Sequence, residues 1–161
     1  MGNDDFSSVK LSVQLVPQPT DRSCWAASMA MIVGNRDNIS IEAESIASAA
    51  EMTTTDSYGW EGIQTAVDHW NLREQGPACL TPSAWAAMLR TSGPIWIVET
   101  GNPYHAVVVI GIDGDGTPEG STVYINNPWP PNSGVQEAKA FVDFENEFEL
   151  GSGVNAQNVT A

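Results

Sequence analysis

The hydrophobic pattern divides the chain into a helical first half and a strand-rich second half. Residues 9–15 alternate apolar and polar side chains, which predicts a half-buried strand. Residues 24–33 carry apolar side chains at helical spacing, which predicts a helix that begins at its cysteine. Ser23 or Asp21 is the candidate N-cap of this helix, and Gly34 lies just past its predicted end.

Three further helices are predicted before residue 91, over 41–51, 61–71 and 82–90. Ser40 is the candidate N-cap of the first of them. Thr81 precedes the last, and Pro82 suits a first helical position because that position needs no N–H donor.

The second half predicts an antiparallel sheet, with strands over 94–99, 104–112 and 121–126. Residues 113–116 resemble the start of a calcium loop, but the glycine and glutamate that such a loop needs are missing, so a hairpin turn is expected. Residues 141–150 alternate phenylalanine or aliphatic side chains with acids, which predicts a closing strand with one acidic face. The fold class is therefore α+β, with one domain over 1–150 and a flexible tail over 151–161.

Composition and charge narrow the possible partners. The chain has 161 residues, 42% of them apolar, which is enough for one buried core. Its formal charge of -14 excludes nucleic acid and anionic membranes as natural partners and favours a basic protein or peptide. No signal peptide or membrane-spanning segment is encoded, so we expect a cytoplasmic protein or one exported by a signal-peptide-independent system. The oligomeric state does not follow from the sequence.

Two cysteines are too few for a disulfide framework, and neither belongs to a zinc-binding pattern. We therefore predict no metal and no cofactor. Cys79 lies in a Gly-Pro loop and is expected to pack as a small apolar residue. His69 falls off the apolar stripe of its helix and is expected to be solvated.

Cys24 is the candidate nucleophile. The start of a helix stabilises a thiolate through unpaired N–H groups and the positive end of the helix dipole. Gln18, six residues earlier, is near enough for its side-chain NH2 to meet an oxyanion together with the Cys24 N–H. His105 begins the most apolar strand of the other half, and Asn127 follows a strand end from which its carbonyl could orient the imidazole.

Asn126 competes with Asn127 for the orienting role. Strand alternation puts the two side chains on opposite faces, and only Asn127 stands in an Asn-x-Trp spacing with Trp129. We prefer Asn127 for that reason.

At these residues the sequence resembles the papain-like cysteine peptidases, in particular their compact bacterial branch of C39-like and effector-protease-like enzymes. The matching pieces are Gln-Pro-Thr-Asp-Arg-Ser-Cys-Trp-Ala-Ala over 18–27, Tyr-His-Ala-Val-Val-Val-Ile-Gly over 104–111 and Asn-Asn-Pro-Trp over 126–129. The resemblance implies a two-part domain, with a helical half that carries the cysteine and a sheet half that carries the histidine and asparagine. It also implies supporting roles for Trp25 and for Trp129, which would shield the Asn–His contact.

The expected activity is hydrolysis of peptide or amide bonds through a Cys24–His105–Asn127 triad, a Gln18 oxyanion site and a thioester acyl-enzyme. A role as a secreted bacterial effector agrees with the resemblance. Three alternatives stay open: a peptidoglycan amidase, a deamidase or acyltransferase with the same Cys–His chemistry, and a catalytically idle acidic binding module.

Overall fold

The computed structural model of the protein describes residues 6–56, 60–75, 80–99, 105–149 and 158–160. In this part of the chain, helices occupy most of the first half. The α-helices are α1 (Cys24–Asp37), α2 (Ala43–Ala49), α3 (Trp60–His69), α4 (Pro82–Ser92) and α5 (Phe141–Phe144), and a π-helical segment (Glu145–Glu149) continues α5. None of these helices is long and apolar enough to cross a membrane.

The strands form one antiparallel sheet. They are β1 (Val9–Lys10), β2 (Arg73–Gln75), β3 (Ile95–Glu99), β4 (His105–Gly114), β5 (Ser121–Asn127), β6 (Val135–Ala140) and β7 (Asn158–Thr160). Their order across the sheet is β2-β7-β3-β4-β5-β6, and β1 pairs with the C-terminal part of β4. This architecture confirms the predicted α+β class.

Helices cover both faces of the sheet. One apolar core joins α1, α2 and α3 to side chains of β3 and β4, and the other joins α4 and α5 to the opposite face of β3, β4 and β5. Because β4 is buried on both faces, its apolar run from Ala106 to Ile110 is continuous rather than alternating.

Helix α1 lies in the centre of the molecule and is longer than predicted. All residues from Cys24 to Val33 are buried, and the several alanines among them allow neighbouring elements to pack closely. The predicted stop at Gly34 is wrong, because the helix continues to Asp37 and is ended by Asn38 in the left-handed conformation. The glycine serves a close contact instead, since a Cβ there would meet the Ile39 carbonyl oxygen at 2.8 Å.

Two other helix starts were predictable to different degrees. The Thr81 hydroxyl accepts from the N–H of Ala84 at 3.2 Å, and Pro82 opens α4, as predicted. Helix α2 begins after Glu42 rather than Ser40, and Glu42 makes no side-chain cap hydrogen bond.

The segment that follows β6 corrects the predicted closing strand. Residues 141–149 are helical, and the buried side chains are Phe141, Phe144 and Phe148, which is helical spacing. The acids of this segment therefore do not form one face of a strand, and one of them, Glu147, binds Lys139 at 2.6 Å.

The first and last strands of the chain also differ from expectation. The first strand covers only Val9–Lys10, although the N–H of Leu11 still donates to Ile110 at 2.8 Å. Residues 158–160 of the predicted flexible tail form β7, which pairs with β2 and β3. The remaining tail residues, 151–157 and 161, lie outside the described part of the chain.

The predicted hairpin turn after β4 is confirmed. The N–H of Asp115 donates to the Gly120 carbonyl at 3.2 Å, and the Asp115 carboxylate accepts from the Thr117 N–H at 2.8 Å. Gly114 has φ +128, and a Cβ there would overlap the Gly120 carbonyl, so the turn requires glycine.

Candidate active site

The candidate site lies where α1 and β4 begin. Ser28, one helical turn after Cys24, donates its hydroxyl to the carbonyl of Ala106 at 3.2 Å. Ala106 directly follows His105, the first residue of β4. This contact brings the start of the helix next to the start of the strand.

Trp25 fixes the first turn of α1. Its carbonyl accepts the indole N–H of Trp96, in β3, at 3.2 Å. Its own side chain is fully buried. Cys24, which precedes it, keeps 6% exposure and is a free thiol. The nucleophile candidate is therefore set on a firmly packed helix with little contact with solvent.

His105 and Asn127 are in direct contact. The Nε2 atom of His105 lies 2.7 Å from Oδ1 of Asn127, the last residue of β5. The same Oδ1 accepts the main-chain N–H of Trp129 at 3.0 Å. Because a main-chain N–H can only donate, this second bond fixes which end of the amide faces the ring.

The fixed amide determines the tautomer of the imidazole. An amide oxygen only accepts, so Nε2 of His105 must carry a proton. The ring nitrogen whose protonation can change is therefore Nδ1. This is the arrangement that a histidine needs if it is to take up and return one proton.

Asn126 has a different environment from Asn127. It is fully buried, its amide donates to the Val13 carbonyl at 3.1 Å, and its Oδ1 accepts from Gln136 at 3.1 Å. The contact to His105 is thus made by Asn127, and Asn126 ties β5 to the segment after β1 and to β6.

Gln18 is held beside the same strand end. Its main-chain N–H donates to the Pro128 carbonyl at 3.1 Å, and its carbonyl accepts from Asn132 at 2.8 Å. Its side chain is buried, with Nε2 donating to the Thr20 carbonyl at 2.7 Å. The loop before α1 and the loop after β5 are therefore joined through Gln18.

Other candidates behave differently. The side chain of Trp129 is 46% exposed, so what this residue gives Asn127 directly is its main-chain N–H. His69 is exposed, as predicted, and its ring meets Trp70 edge-on at 5.0 Å. Cys79 lies outside the described residues.

The sequence did not indicate two features of the site. Ser23 does occupy the N-cap position of α1, but its hydroxyl makes no cap hydrogen bond and binds Thr20 instead. The Trp129 N–H that fixes Asn127 is a main-chain group, and no side-chain pattern reports its direction.

Helix α1 begins at a cysteine and packs against a strand that begins with an asparagine-bound histidine. The resemblance to papain-like cysteine peptidases implies this arrangement. The family model described as papain-like cysteine protease AvrRpt2 matches residues 5–149, and the chain belongs to this family. The protein is therefore a papain-like cysteine protease by family. No curated protein matches the chain.

Solved structures support the fold. A double glycine motif protease from an AMS/PCAT transporter, solved in complex with the leader peptide, is 19% identical with a TM-score of 0.61, covering 94% of this chain and 91% of that one. The peptidase domain of Streptococcus ComA, a bi-functional ABC transporter, is 16% identical with a TM-score of 0.62, covering 91% and 95%. A putative C39-like peptidase from Bacillus anthracis is 15% identical with a TM-score of 0.59, covering 97% and 98%. At these identities the likeness concerns the fold, which is that of compact C39-like peptidase domains.

Proposed function

We propose that the protein hydrolyses peptide bonds with Cys24 as nucleophile, His105 as general base and acid, Asn127 as the residue that orients His105, and Gln18 as oxyanion donor. The observation that carries the proposal is the 2.7 Å contact between His105 Nε2 and Asn127 Oδ1. It leaves Nδ1 as the atom that exchanges a proton with Cys24.

The first half of the reaction makes an acyl-enzyme. Nδ1 of His105 takes the proton of the Cys24 thiol, and the sulfur attacks the carbonyl carbon of the substrate. The negative charge that forms on the carbonyl oxygen is stabilised by the side-chain NH2 of Gln18 and the main-chain N–H of Cys24. The carbon–nitrogen bond then breaks, the amine leaves with the proton from Nδ1, and a thioester remains.

The second half returns the enzyme to its starting state. Nδ1 of His105 takes a proton from water, the resulting hydroxide attacks the thioester carbon, and the carbon–sulfur bond breaks. The carboxylic product leaves, and the Cys24 sulfur recovers the proton from His105.

The proposed substrate is a protein or peptide, and a basic one is favoured by the formal charge of -14. A neighbouring structure was solved in complex with a leader peptide, which supports a peptide as the class of ligand that this fold accommodates. The reaction needs Cys24 as a free thiol, which suits a bacterial cytoplasm or, for an exported effector, the cytosol of a host cell.

The proposal is tested by incubating the protein with a mixed pool of unrelated peptides and identifying the products by mass spectrometry. We expect new peptide termini with the unmodified protein and with Cys79→Ser, and none with Cys24→Ala or His105→Ala. If the products are deamidated side chains or joined peptides, the thioester serves deamidation or acyl transfer instead of peptide hydrolysis. Digestion of purified sacculi alone would indicate a peptidoglycan amidase, and binding without any product would indicate an idle module.

A further inference from the structure

The loop that precedes the nucleophile is held by a hydroxyl that does not cap the helix. Ser23 stands at the N-cap position of α1 and is fully buried. Serine at this position usually accepts a hydrogen bond from the first turn of the helix. Here it makes no such bond, so its hydroxyl serves another purpose.

The Ser23 hydroxyl binds Thr20 at two main-chain atoms. It donates to the Thr20 carbonyl at 3.1 Å and accepts the Thr20 N–H at 3.0 Å. The Thr20 hydroxyl lies 3.0 Å from Ser23 Oγ and also within reach of the Thr54 carbonyl, so its single proton serves one of these oxygens at a time. Residue 20 is therefore fixed by its main chain, with a secondary tie to the loop around Thr54.

The Thr20 carbonyl in turn orients the Gln18 side chain. It accepts Nε2 of Gln18 at 2.7 Å, so this oxygen receives both Gln18 and Ser23. A rotated amide would set Oε1 against the carbonyl oxygen, and two acceptors repel. Oε1 itself is buried and has no hydrogen-bond partner among the described residues, so the Thr20 carbonyl is what decides the orientation.

We infer that Ser23 is a positioning residue for the oxyanion site. Ser23 holds the Thr20 carbonyl in place, and that carbonyl orients the amide nitrogen of Gln18 toward the carbonyl of the substrate. The second N–H of the Gln18 amide then donates to the oxyanion. The inference rests on the proposed function, because it takes Gln18 as the oxyanion donor.

A double-mutant cycle on peptide hydrolysis tests this inference. Gln18→Ala is expected to lower kcat by about 10²–10³-fold, as the loss of one oxyanion donor does elsewhere. Ser23→Ala is expected to lower kcat by about tenfold with little change in KM, because a misaligned donor costs rate rather than binding. The double variant should be no slower than Gln18→Ala alone, since Ser23 acts through Gln18.

Alkylation by iodoacetamide separates this effect from damage to the nucleophile. Displacement of iodide forms no oxyanion, so the rate of Cys24 alkylation should be the same in the unmodified protein and in Ser23→Ala. Ser23→Thr, which keeps a hydroxyl, should retain kcat. If Ser23→Ala is too unstable to assay, Ser23→Cys replaces the hydroxyl by a weaker donor and should show the same loss of kcat.

Three results would overturn the inference. The first is an unchanged kcat in Ser23→Ala. The second is a further tenfold loss of kcat when Ser23→Ala is added to Gln18→Ala. The third is a loss of Cys24 alkylation in Ser23→Ala that matches its loss of hydrolysis. Absence of hydrolysis by the unmodified protein is a different result, because it contradicts the proposed function and removes the inference with it.

Discussion

The two asparagines that end β5 are neighbours in sequence with separate environments. Asn127 binds His105, and its amide is fixed by the N–H of Trp129. Asn126 points away from this contact and is bonded at both ends of its amide inside the protein. We therefore propose that Asn127 aligns the imidazole and that Asn126 supports the fold.

Alanine substitutions should separate these tasks. Asn127→Ala is expected to lower kcat on the order of 100-fold, because the imidazole loses its fixed orientation. Its melting temperature should change little, since Asn127 is only partly buried. Asn126→Ala is expected to lower the free energy of unfolding by about 1–3 kcal/mol, because it removes both hydrogen bonds by which this buried side chain joins β5 to its neighbours. Peptide hydrolysis and thermal unfolding of both variants check this, and the opposite pattern would exchange the two roles.

The role of Asn127 could be predicted from the sequence, whereas the role of Ser23 could not. Strand alternation and the spacing to Trp129 were enough to prefer Asn127 over Asn126, because both depend on local geometry. The hydroxyl of Ser23 has several possible partners at the same spacing, a cap among them. Its choice of Thr20 depends on how the loop folds over α1, which a local pattern does not contain.

At the scale of elements, the segment after β6 is the clearest departure from the predicted fold. Its apolar residues fit both the strand pattern and the helix pattern in part. Val142 and Phe144 follow the strand pattern, and the polar Asn146 interrupts it. The second core decides between them, because Phe144 packs edge-on against Trp85 at 5.3 Å and beside Phe148 at 5.1 Å. Tertiary packing thus selects the helix.

Truncation of this aromatic cluster should destabilise the fold without altering the site. Phe144→Ala is expected to lower the free energy of unfolding by about 3–5 kcal/mol, as loss of a buried phenylalanine does elsewhere. Val142→Ala, on a side chain that is 39% exposed, is the control and should change it by less than about 0.5 kcal/mol. Chemical denaturation measures both, and equal effects would contradict the helical arrangement.

Strand β6 could not be predicted from hydrophobicity. Its sequence, Val-Gln-Glu-Ala-Lys-Ala, has no buried residue in the structure, and it lies at the edge of the sheet. An edge strand can be polar on both faces, because main-chain hydrogen bonds to β5 hold it. By contrast, β3, β4 and β5 were predictable because they carry most of the apolar surface of the sheet.

The turn between β4 and β5 should make stability depend on acidic pH. The Thr117 hydroxyl and N–H donate to Asp115 and lower the pKa of its carboxyl from 3.8. A pKa lowered in the folded state means that the carboxylate adds stability above the unfolded pKa, and that this stability is lost as pH falls through the folded pKa. Asp115→Ala should therefore melt below the unmodified protein at neutral pH.

The difference between these two melting temperatures should shrink when the pH is lowered below about 4. Val142→Ala removes no ionisable group and serves as the control, with a difference that does not depend on pH. A difference for Asp115→Ala that stays constant from neutral to acidic pH would contradict the role of the carboxylate.

At the scale of the whole molecule, the charge of the chain acts on substrate encounter. The chain has six basic and 20 acidic residues, so the protein as a whole attracts positively charged substrates. We expect kcat/KM to be several-fold higher for a basic peptide than for its acidic counterpart at low salt. Raising the ionic strength to about 0.15 M should reduce this preference, because the screening length falls to about 8 Å. Identical salt dependence for both peptides would contradict steering by net charge.

The packing of helix and sheet also explains why the candidate site lies where α1 and β4 begin. The central helix α1 and the central strand β4 are both buried, and their contact at Ser28 and Ala106 brings the starts of the helix and the strand together. The paired asparagine comes from the next strand, β5, which runs antiparallel to β4 and ends beside its start. Motif order along the chain predicted these partners, and the topology explains how distant segments meet.

In the proposed mechanism His105 activates Cys24, and the rate of thiol alkylation measures this activation. At mildly acidic pH an ordinary thiol is protonated and reacts slowly with iodoacetamide, whereas a thiol that has passed its proton to an imidazole reacts readily. We expect limiting reagent to modify Cys24 before Cys79, and we expect His105→Ala to abolish this preference. Slow and equal labelling of both cysteines, unaffected by His105→Ala, would contradict it.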